Sequence, residues 1–154
     1  MKIFSRNFAK MKNIQNAWEI MLKHGYGQTF GELQLVSCAD GKCIAEMDIK
    51  KEHANIANTL HGGLIATLID HVTSFAIVSL QYPHLEPSFS INMNISYLNK
   101  SKVGDRIVIE GDCEKHGVNI SFARAKIYDK ISKNIIATGD HVKFIPKSSA
   151  SNSK

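Results

Sequence analysis

The stretch from Gly62 to Leu80 is the feature that most restricts how this chain can fold. Apolar residues recur through it at helical spacing and cover most of a helix surface. They are Leu64, Leu68, Ile69, Val72, Phe75 and Ala76, together with Ser79. A helix this apolar has to be wrapped by other elements rather than laid on a surface. Polar residues, including Asp70, interrupt the run, so we predict a core helix and no transmembrane segment.

Strand patterns on both sides of this helix can supply the wrapping. Alternation of apolar and polar residues predicts strands at 32–37, 42–50, 88–97, 106–115, 118–128 and 134–145. Asp40-Gly41 is a typical hairpin turn between the first two strands. The element order therefore predicts an α+β domain in which one antiparallel sheet curls around the central helix.

The ends of the chain differ in character from this central domain. Apolar residues at helical spacing from Phe8 to Leu22 predict an amphipathic helix that stops at Gly25. We therefore divide the chain into an N-terminal helical segment at 1–25, a main domain at 26–145 and a disordered polar tail at 146–154. The basic start fits a mitochondrial presequence as an alternative to a cytoplasmic protein, because the first acidic residue is Glu19.

Charge and cysteine content exclude other classes of protein. The net charge is +5, but six of the 19 basic residues lie in the two ends, which leaves 13 against 14 acidic residues. No compact basic face of the kind that nucleic-acid binding needs is evident. The three cysteines are odd in number and lack a C-x-x-C spacing, which indicates reduced thiols.

The start of the central helix has the features of a catalytic site. A polar loop ends there in His61-Gly62-Gly63. N–H groups of a first helical turn lack partners and suit a developing negative charge. Asp70 is a lone carboxylate beside Leu68 and Ile69, and burying it is unfavourable unless it has a task or a partner. The sequence therefore predicts an oxyanion site at Gly62 and a catalytic carboxylate at Asp70.

Gly62 and Asp70 cannot reach one substrate from the same helix. Eight residues separate them, which is about 12 Å along a helix axis. In a two-fold dimer with antiparallel central helices, each Asp70 would lie near Gly62 of the other chain. We therefore predict a homodimer with two equivalent sites.

Three further residues would complete a site for acyl transfer to water. Asn55 would position or polarise the carbonyl, and Ser90 would hold the attacking water. His61 would orient the loop or assist the departing group. The chain has no G-x-S-x-G motif and no zinc-ligand spacing, so neither an α/β-hydrolase nor a metal site is predicted.

The chain resembles the hotdog-fold acyl-coenzyme A thioesterases, most closely their PaaI-like group. The residues that carry the resemblance are Leu35-Val36-Ser37, Thr59 to Leu64, Ala66-Thr67-Leu68 with Asp70, and Met93-Asn94-Ile95 with Tyr97. The resemblance extends from the N-terminal helix to about Phe144. It implies a hotdog fold and the hydrolysis of fatty acyl-coenzyme A, of medium to long chain, to free fatty acid and coenzyme A.

The resemblance also assigns roles to single residues. Asn55 and Gly62 match the positions that polarise the thioester carbonyl, and Asp70 matches the base or nucleophile. Ser90 matches the serine that holds water, and His61 matches the histidine beside the oxyanion glycine.

Further expectations follow from the same resemblance. It implies a homotetramer built as a dimer of dimers, with no metal or organic cofactor, because coenzyme A is part of the substrate. Lys143, Arg124 and Lys102 are the candidates to meet the coenzyme A phosphates. Two other functions stay open, which are an acyl-thioester hydratase or dehydratase of the same fold and a non-catalytic acyl-coenzyme A-binding scaffold.

Overall fold

The computed structural model describes residues 2–81 and 88–146, with side chains from residue 13 onward. Its elements are α1 (Lys2–Lys23), a 3-10 turn (Gly25–Phe30), β1 (Gln34–Ala39), β2 (Lys42–Asp48), a second 3-10 turn (Lys51–His53), α2 (Gly62–Leu80), β3 (Phe89–Tyr97), β4 (Arg106–His116), β5 (Ile120–Asp129) and β6 (Ile135–Phe144). The predicted order is confirmed, and α2 has the predicted bounds. The tail predicted to be disordered lies, from residue 147 on, outside the described residues.

The six strands form one antiparallel sheet in the order β1-β2-β4-β5-β6-β3. The predicted hairpin between β1 and β2 turns at Asp40 and Gly41, which have φ angles of 52° and 85°. Both angles are positive, as a two-residue turn between twisted strands requires. Strand β3 lies at one edge of the sheet, beside β6. Among the described residues, only one side of β3 is therefore paired.

Helix α2 packs across the concave face of this sheet, and its apolar side chains are buried there. By length and composition α2 could cross a membrane, but over half of it is buried inside the domain. Two glycines let the helix approach closely. A Cβ at Gly111 would lie 3.0 Å from the carbonyl oxygen of Val72, and one at Gly139 would lie 3.0 Å from Cγ2 of Ile69. The sheet thus fixes the rotation of α2, and with it the direction of Asp70.

Helix α1 packs against α2 through buried side chains. Ile14 and Trp18 are 0% and 1% exposed, and Trp18 donates its indole N–H to the carbonyl of Leu33 at 3.1 Å. Trp18 also packs against His71 in a tilted arrangement, with ring centroids 4.6 Å apart. Burial lowers the pKa of His71 to about 4, so this ring is neutral at pH 7. His71 has a packing role among the rings of Trp18, Phe30 and Phe75.

Candidate active site

The loop before α2 fixes the helix start. His61 is the N-cap residue, and its Nδ1 accepts the N–H of Gly63 at 2.9 Å. Within the described residues, no acceptor lies within hydrogen-bonding distance of the Gly62 N–H. Tyr97 closes one side of this position, since its hydroxyl donates to the Gly62 carbonyl at 3.3 Å. Gly62 therefore presents a free donor at the positive end of a 19-residue helix.

Asn55 organises this loop. Its Oδ1 accepts the N–H groups of Ala57 at 2.9 Å and Thr59 at 3.2 Å, and its amide nitrogen donates to the Thr59 hydroxyl at 2.9 Å. The side chain thus forms an Asx turn, as asparagine commonly does in loops. In one protomer, the polar groups of Asn55 are directed at its own loop rather than at a site for a carbonyl.

Asp70 lies apart from the helix start, on the face of α2 that meets β3 and β6. Its Oδ1 accepts the hydroxyl of Ser90 at 3.2 Å and the ammonium of Lys143 at 3.3 Å. Within the described residues, Oδ2 has no hydrogen-bond partner, and the side chain is 46% exposed. One carboxylate oxygen is therefore held and the other is open.

The surroundings keep Asp70 ionised. Burial alone would raise the pKa of its carboxyl, yet the charge of Lys143, together with hydrogen bonds from Lys143 and Ser90, holds the pKa below its ordinary value. A carboxylate in this state can accept a proton or attack an electrophilic carbon at pH 7.

His141 is part of this cluster, although sequence reasoning did not single it out. Its Nε2 lies 3.0 Å from Ser90 Oγ, and its Nδ1 lies 2.7 Å from Thr73 Oγ1. Burial, together with the charge of Lys143, lowers the pKa of His141 to about 4, so the ring is neutral at pH 7. When Ser90 donates to Asp70, a neutral His141 must donate from Nε2 to Ser90 and accept at Nδ1. One sequence signal could have revealed His141: it is a polar residue at a position of the alternating strand β6 where an inward-facing, apolar residue is expected.

The same cluster determines the hydrogen bonds of Ser90. The hydroxyl has one proton, directed at Asp70, and two lone pairs, which face His141 and the ammonium of Lys143 at 3.4 Å. Its hydrogen-bonding capacity is therefore filled inside the chain. Ser90 acts on the carboxylate, whereas the sequence suggested a serine that holds water.

The three candidate phosphate ligands occupy different environments. Lys143 is 4% exposed and turned inward, because residue 143 lies on the helix-facing side of β6. Arg124 is on the opposite side of the sheet and is paired with Glu114 and Asp140. Lys102 is exposed, and an isolated backbone β-bridge pairs it with Thr59 in the loop that precedes α2. Of the three, Lys102 combines exposure with a position near the helix start.

The arrangement suits acyl transfer, with a free N–H for an oxyanion and an ionised carboxylate for a base or nucleophile. In one chain these parts lie at separate places on α2, about 12 Å apart along its axis. Within the described residues, no group of three or more potential ligand side chains could hold a metal ion.

Comparisons with known proteins agree with this chemistry. Residues 57–136 match the family model of the thioesterase superfamily. Acyl-coenzyme A thioesterase 13 from Homo sapiens is 37% identical over 120 residues, which cover 78% of this chain and 84% of that protein. The protein of the same name from Mus musculus is 34% identical over 135 residues, which cover 87% of this chain and 95% of that one. Thioesterase superfamily member 2 from zebrafish has a TM-score of 0.83 at 31% identity, over 88% of this chain and 98% of that one. This chain therefore belongs to the thioesterase superfamily and has its hotdog fold.

Proposed function

We propose that this protein hydrolyses acyl-coenzyme A thioesters, with medium to long acyl chains, to free fatty acid and coenzyme A. The observation that carries the proposal is the ionised carboxylate of Asp70, held at Oδ1 and open at Oδ2. Membership of the thioesterase superfamily supports the reaction class, and relatives named acyl-coenzyme A thioesterase 13 support the acyl-coenzyme A substrate.

The active site would be shared between two protomers through β3. Ser90, near the start of β3, contacts Asp70, and Tyr97, its last residue, contacts Gly62. Two β3 strands that pair antiparallel about a two-fold axis near the middle of the strand would place the Ser90 end of one protomer beside the Tyr97 end of the other. Asp70 of one protomer would then face Gly62 of the other.

The exposed edge of β3 supports this dimer. Its outer side has no partner strand in the part of the chain that the structure describes, and Phe89, Ile91 and Tyr97 are 60%, 56% and 56% exposed. A long apolar edge strand of this kind is a ready template for pairing with another strand. Partly buried apolar residues between α2 and β3, including Leu64, Met93 and Ile95, would line the space for an acyl chain.

In the assembled site, the thioester carbonyl oxygen would lie against the Gly62 N–H. Asp70 Oδ2 then either removes a proton from a water molecule that attacks the carbonyl carbon, or attacks that carbon directly. In the first route the tetrahedral intermediate expels the thiolate and leaves the carboxylic acid. In the second route the thiolate departs to leave a mixed anhydride, which water hydrolyses. Both routes develop negative charge on the same oxygen, beside the positive end of α2.

His61 would assist the departing thiolate. Because its Nδ1 accepts the N–H of Gly63, the neutral ring carries its proton on Nε2. That N–H is available for donation, since His61 is exposed. Asn55 would fix the loop that sets this geometry, and Lys102, beside Thr59, would meet a coenzyme A phosphate. The chemistry needs no metal or organic cofactor.

A second interface would build a tetramer from two dimers. The outer face of the sheet has apolar residues at neighbouring positions, in the pairs Phe89–Phe144, Ile120–Phe144 and Phe122–Val142, and all of them except Val142 are exposed. An apolar patch of this kind on a water-facing sheet supports packing against a second dimer.

We place the protein in the cytoplasm, with the mitochondrion as the alternative.

The test is thiol release from acyl-coenzyme A substrates ranging from acetyl to stearoyl. We expect Asp70→Asn to lower kcat by roughly 100-fold or more, the usual contribution of a positioned base. Asp112→Asn is the matched control, because Asp112 is a surface carboxylate paired with Lys42. If the wild type binds these substrates without releasing thiol, the protein is an acyl-coenzyme A-binding scaffold. If enoyl thioesters gain water instead, it is a hydratase.

A further inference from the structure

Lys143 is unusual among the lysines of the described chain because its ammonium is buried in the candidate active site. The side chain is 5% exposed. It extends from the helix-facing side of β6 to the face of α2 that presents Asp70. A buried ammonium is unfavourable unless its charge and its three donors are satisfied.

Each of the three donors has an acceptor. The Nζ atom lies 2.6 Å from Ser74 Oγ, 3.3 Å from Asp70 Oδ1 and 3.4 Å from Ser90 Oγ. Ser74 in turn donates to the backbone carbonyl of Asp70 at 2.6 Å, so its lone pairs are free to accept. An ammonium has three N–H donors. No donor is left for a phosphate, and the ammonium is buried.

The bonds that reach the Asp70 carboxylate all act on one of its oxygens. Lys143 and Ser90 both donate to Oδ1, and no contact with Oδ2 is formed within the described residues. Fixing Oδ1 fixes the rotation of the carboxylate, and this directs Oδ2 to the exposed side. Lys143 and Ser90 together therefore hold the carboxylate in one orientation, with its other oxygen free.

We propose that Lys143 is a positioning residue that holds Asp70 through Oδ1, so that Oδ2 acts on the thioester or on water. The inference rests on the proposed function, because it concerns the same carboxylate. It replaces the expectation that Lys143 meets a phosphate of coenzyme A. Lys143 acts through Asp70 and does not touch the substrate.

The test compares Lys143→Met with the wild type on an acyl-coenzyme A and on the corresponding acyl-pantetheine, which lacks the nucleotide and its phosphates. We expect kcat to fall by at least about tenfold on both substrates, since small displacements of catalytic groups are costly, while KM changes little. A rise in KM on acyl-coenzyme A alone, with kcat unchanged, would overturn the proposal in favour of phosphate binding. Lys126→Met is the matched control, because Lys126 pairs with Glu110 on the outer face of the sheet.

A pH profile adds a readout that loss of packing would not move. The charged or titratable groups facing Asp70 are Lys143 and His141 on β6, and His71 neighbours it on α2. Both histidines are neutral at pH 7, so at that pH Lys143 is the cation that favours the ionised carboxylate, and His141 adds its charge only once it is protonated at acid pH. The acid limb of kcat/KM should move to higher pH in Lys143→Met and return towards the wild-type position in Lys143→Arg. An unchanged limb in a folded Lys143→Met protein would overturn the proposal.

The thiol-release results and one further measurement separate the possible failures. If the wild type releases no thiol, the proposed function fails, and the role of Lys143 in catalysis fails with it. If the wild type is active and Lys143→Met matches it, only the inference about Lys143 fails. Titration of the Asp70 carboxyl carbon by NMR tests the electrostatic part without activity, since removing Lys143 should raise that pKa.

Discussion

Replacing Gly62 with proline should remove the oxyanion donor while leaving the helix start in place. Proline has no N–H, and it is well tolerated at the first position of a helix. The residue before proline must be extended, and His61 already has φ −67° and ψ 131°. A Cβ at Gly62 would lie 3.4 Å from Cε1 of Tyr97, a contact that needs little adjustment. The substitution therefore acts mainly on the one unpartnered donor.

The expected loss follows from the value of such a donor. Removing a single oxyanion hydrogen bond typically lowers kcat by about 10²- to 10³-fold, or about 3–4 kcal/mol of transition-state stabilisation. Gly62→Ala is the matched comparison, because it adds the same Cβ and keeps the N–H. We expect kcat for thiol release to be at least about 100-fold lower in Gly62→Pro than in Gly62→Ala. Equal kcat values in two folded variants would refute the assignment of Gly62 as the oxyanion donor.

Three further predictions concern stability. Trp18→Ala should lower the free energy of unfolding by about 3–5 kcal/mol in a denaturant titration, because Trp18 is 1% exposed. Ile20→Ala is the control and should change it little, because Ile20 is exposed. Equal effects of the two substitutions would contradict the packing of α1. Gly111→Ala should lower the melting temperature, because the new Cβ would lie 3.0 Å from the Val72 carbonyl oxygen. An unchanged melting temperature would mean that α2 does not lie so close to β4. Because the pKa of His71 is lowered from 6.5 to about 4, the unfolded chain binds the proton more readily than the folded one. The free energy of unfolding should therefore fall by up to about 3 kcal/mol as the pH falls from 6.5 to 4. This loss should be smaller in His71→Phe, and it would be absent if His71 were solvated.

Local sequence patterns were sufficient for most of the fold. The apolar run gave α2 its bounds at Gly62 and Leu80, and alternation located every strand to within about two residues, the usual error for element ends. The Asp40-Gly41 turn was readable because its positive φ angles favour those residue types. These features depend on neighbours in the chain. The order of strands in the sheet depends on long-range pairing, and the edge position of β3 was not predictable from local patterns.

The candidate site was predictable only in part for the same reason. Gly62 and Asp70 stood out because a helix start and a lone acid are local signals. His141 and Lys143 reach Asp70 through the pairing of β6 with β3, whose register shifts between Ser90 and Asn92. That irregularity turns Ser90 towards α2, and alternation alone does not reveal it. Asn55 has a local role, in its own turn, that a motif match does not distinguish from a contact with substrate.

The claim that each active site takes Gly62 from one protomer and Asp70 from the other can be tested by subunit complementation. Asp70→Asn and Gly62→Pro protein would be unfolded separately, mixed in equal amounts and refolded together, and thiol release would be compared with each variant refolded alone. In a mixed dimer, one shared site carries both substitutions and the other carries neither. Random pairing should therefore restore about a quarter of the wild-type activity. If the mixture is no more active than the separate variants, although mixed dimers have formed, each site lies within one chain and the account is contradicted.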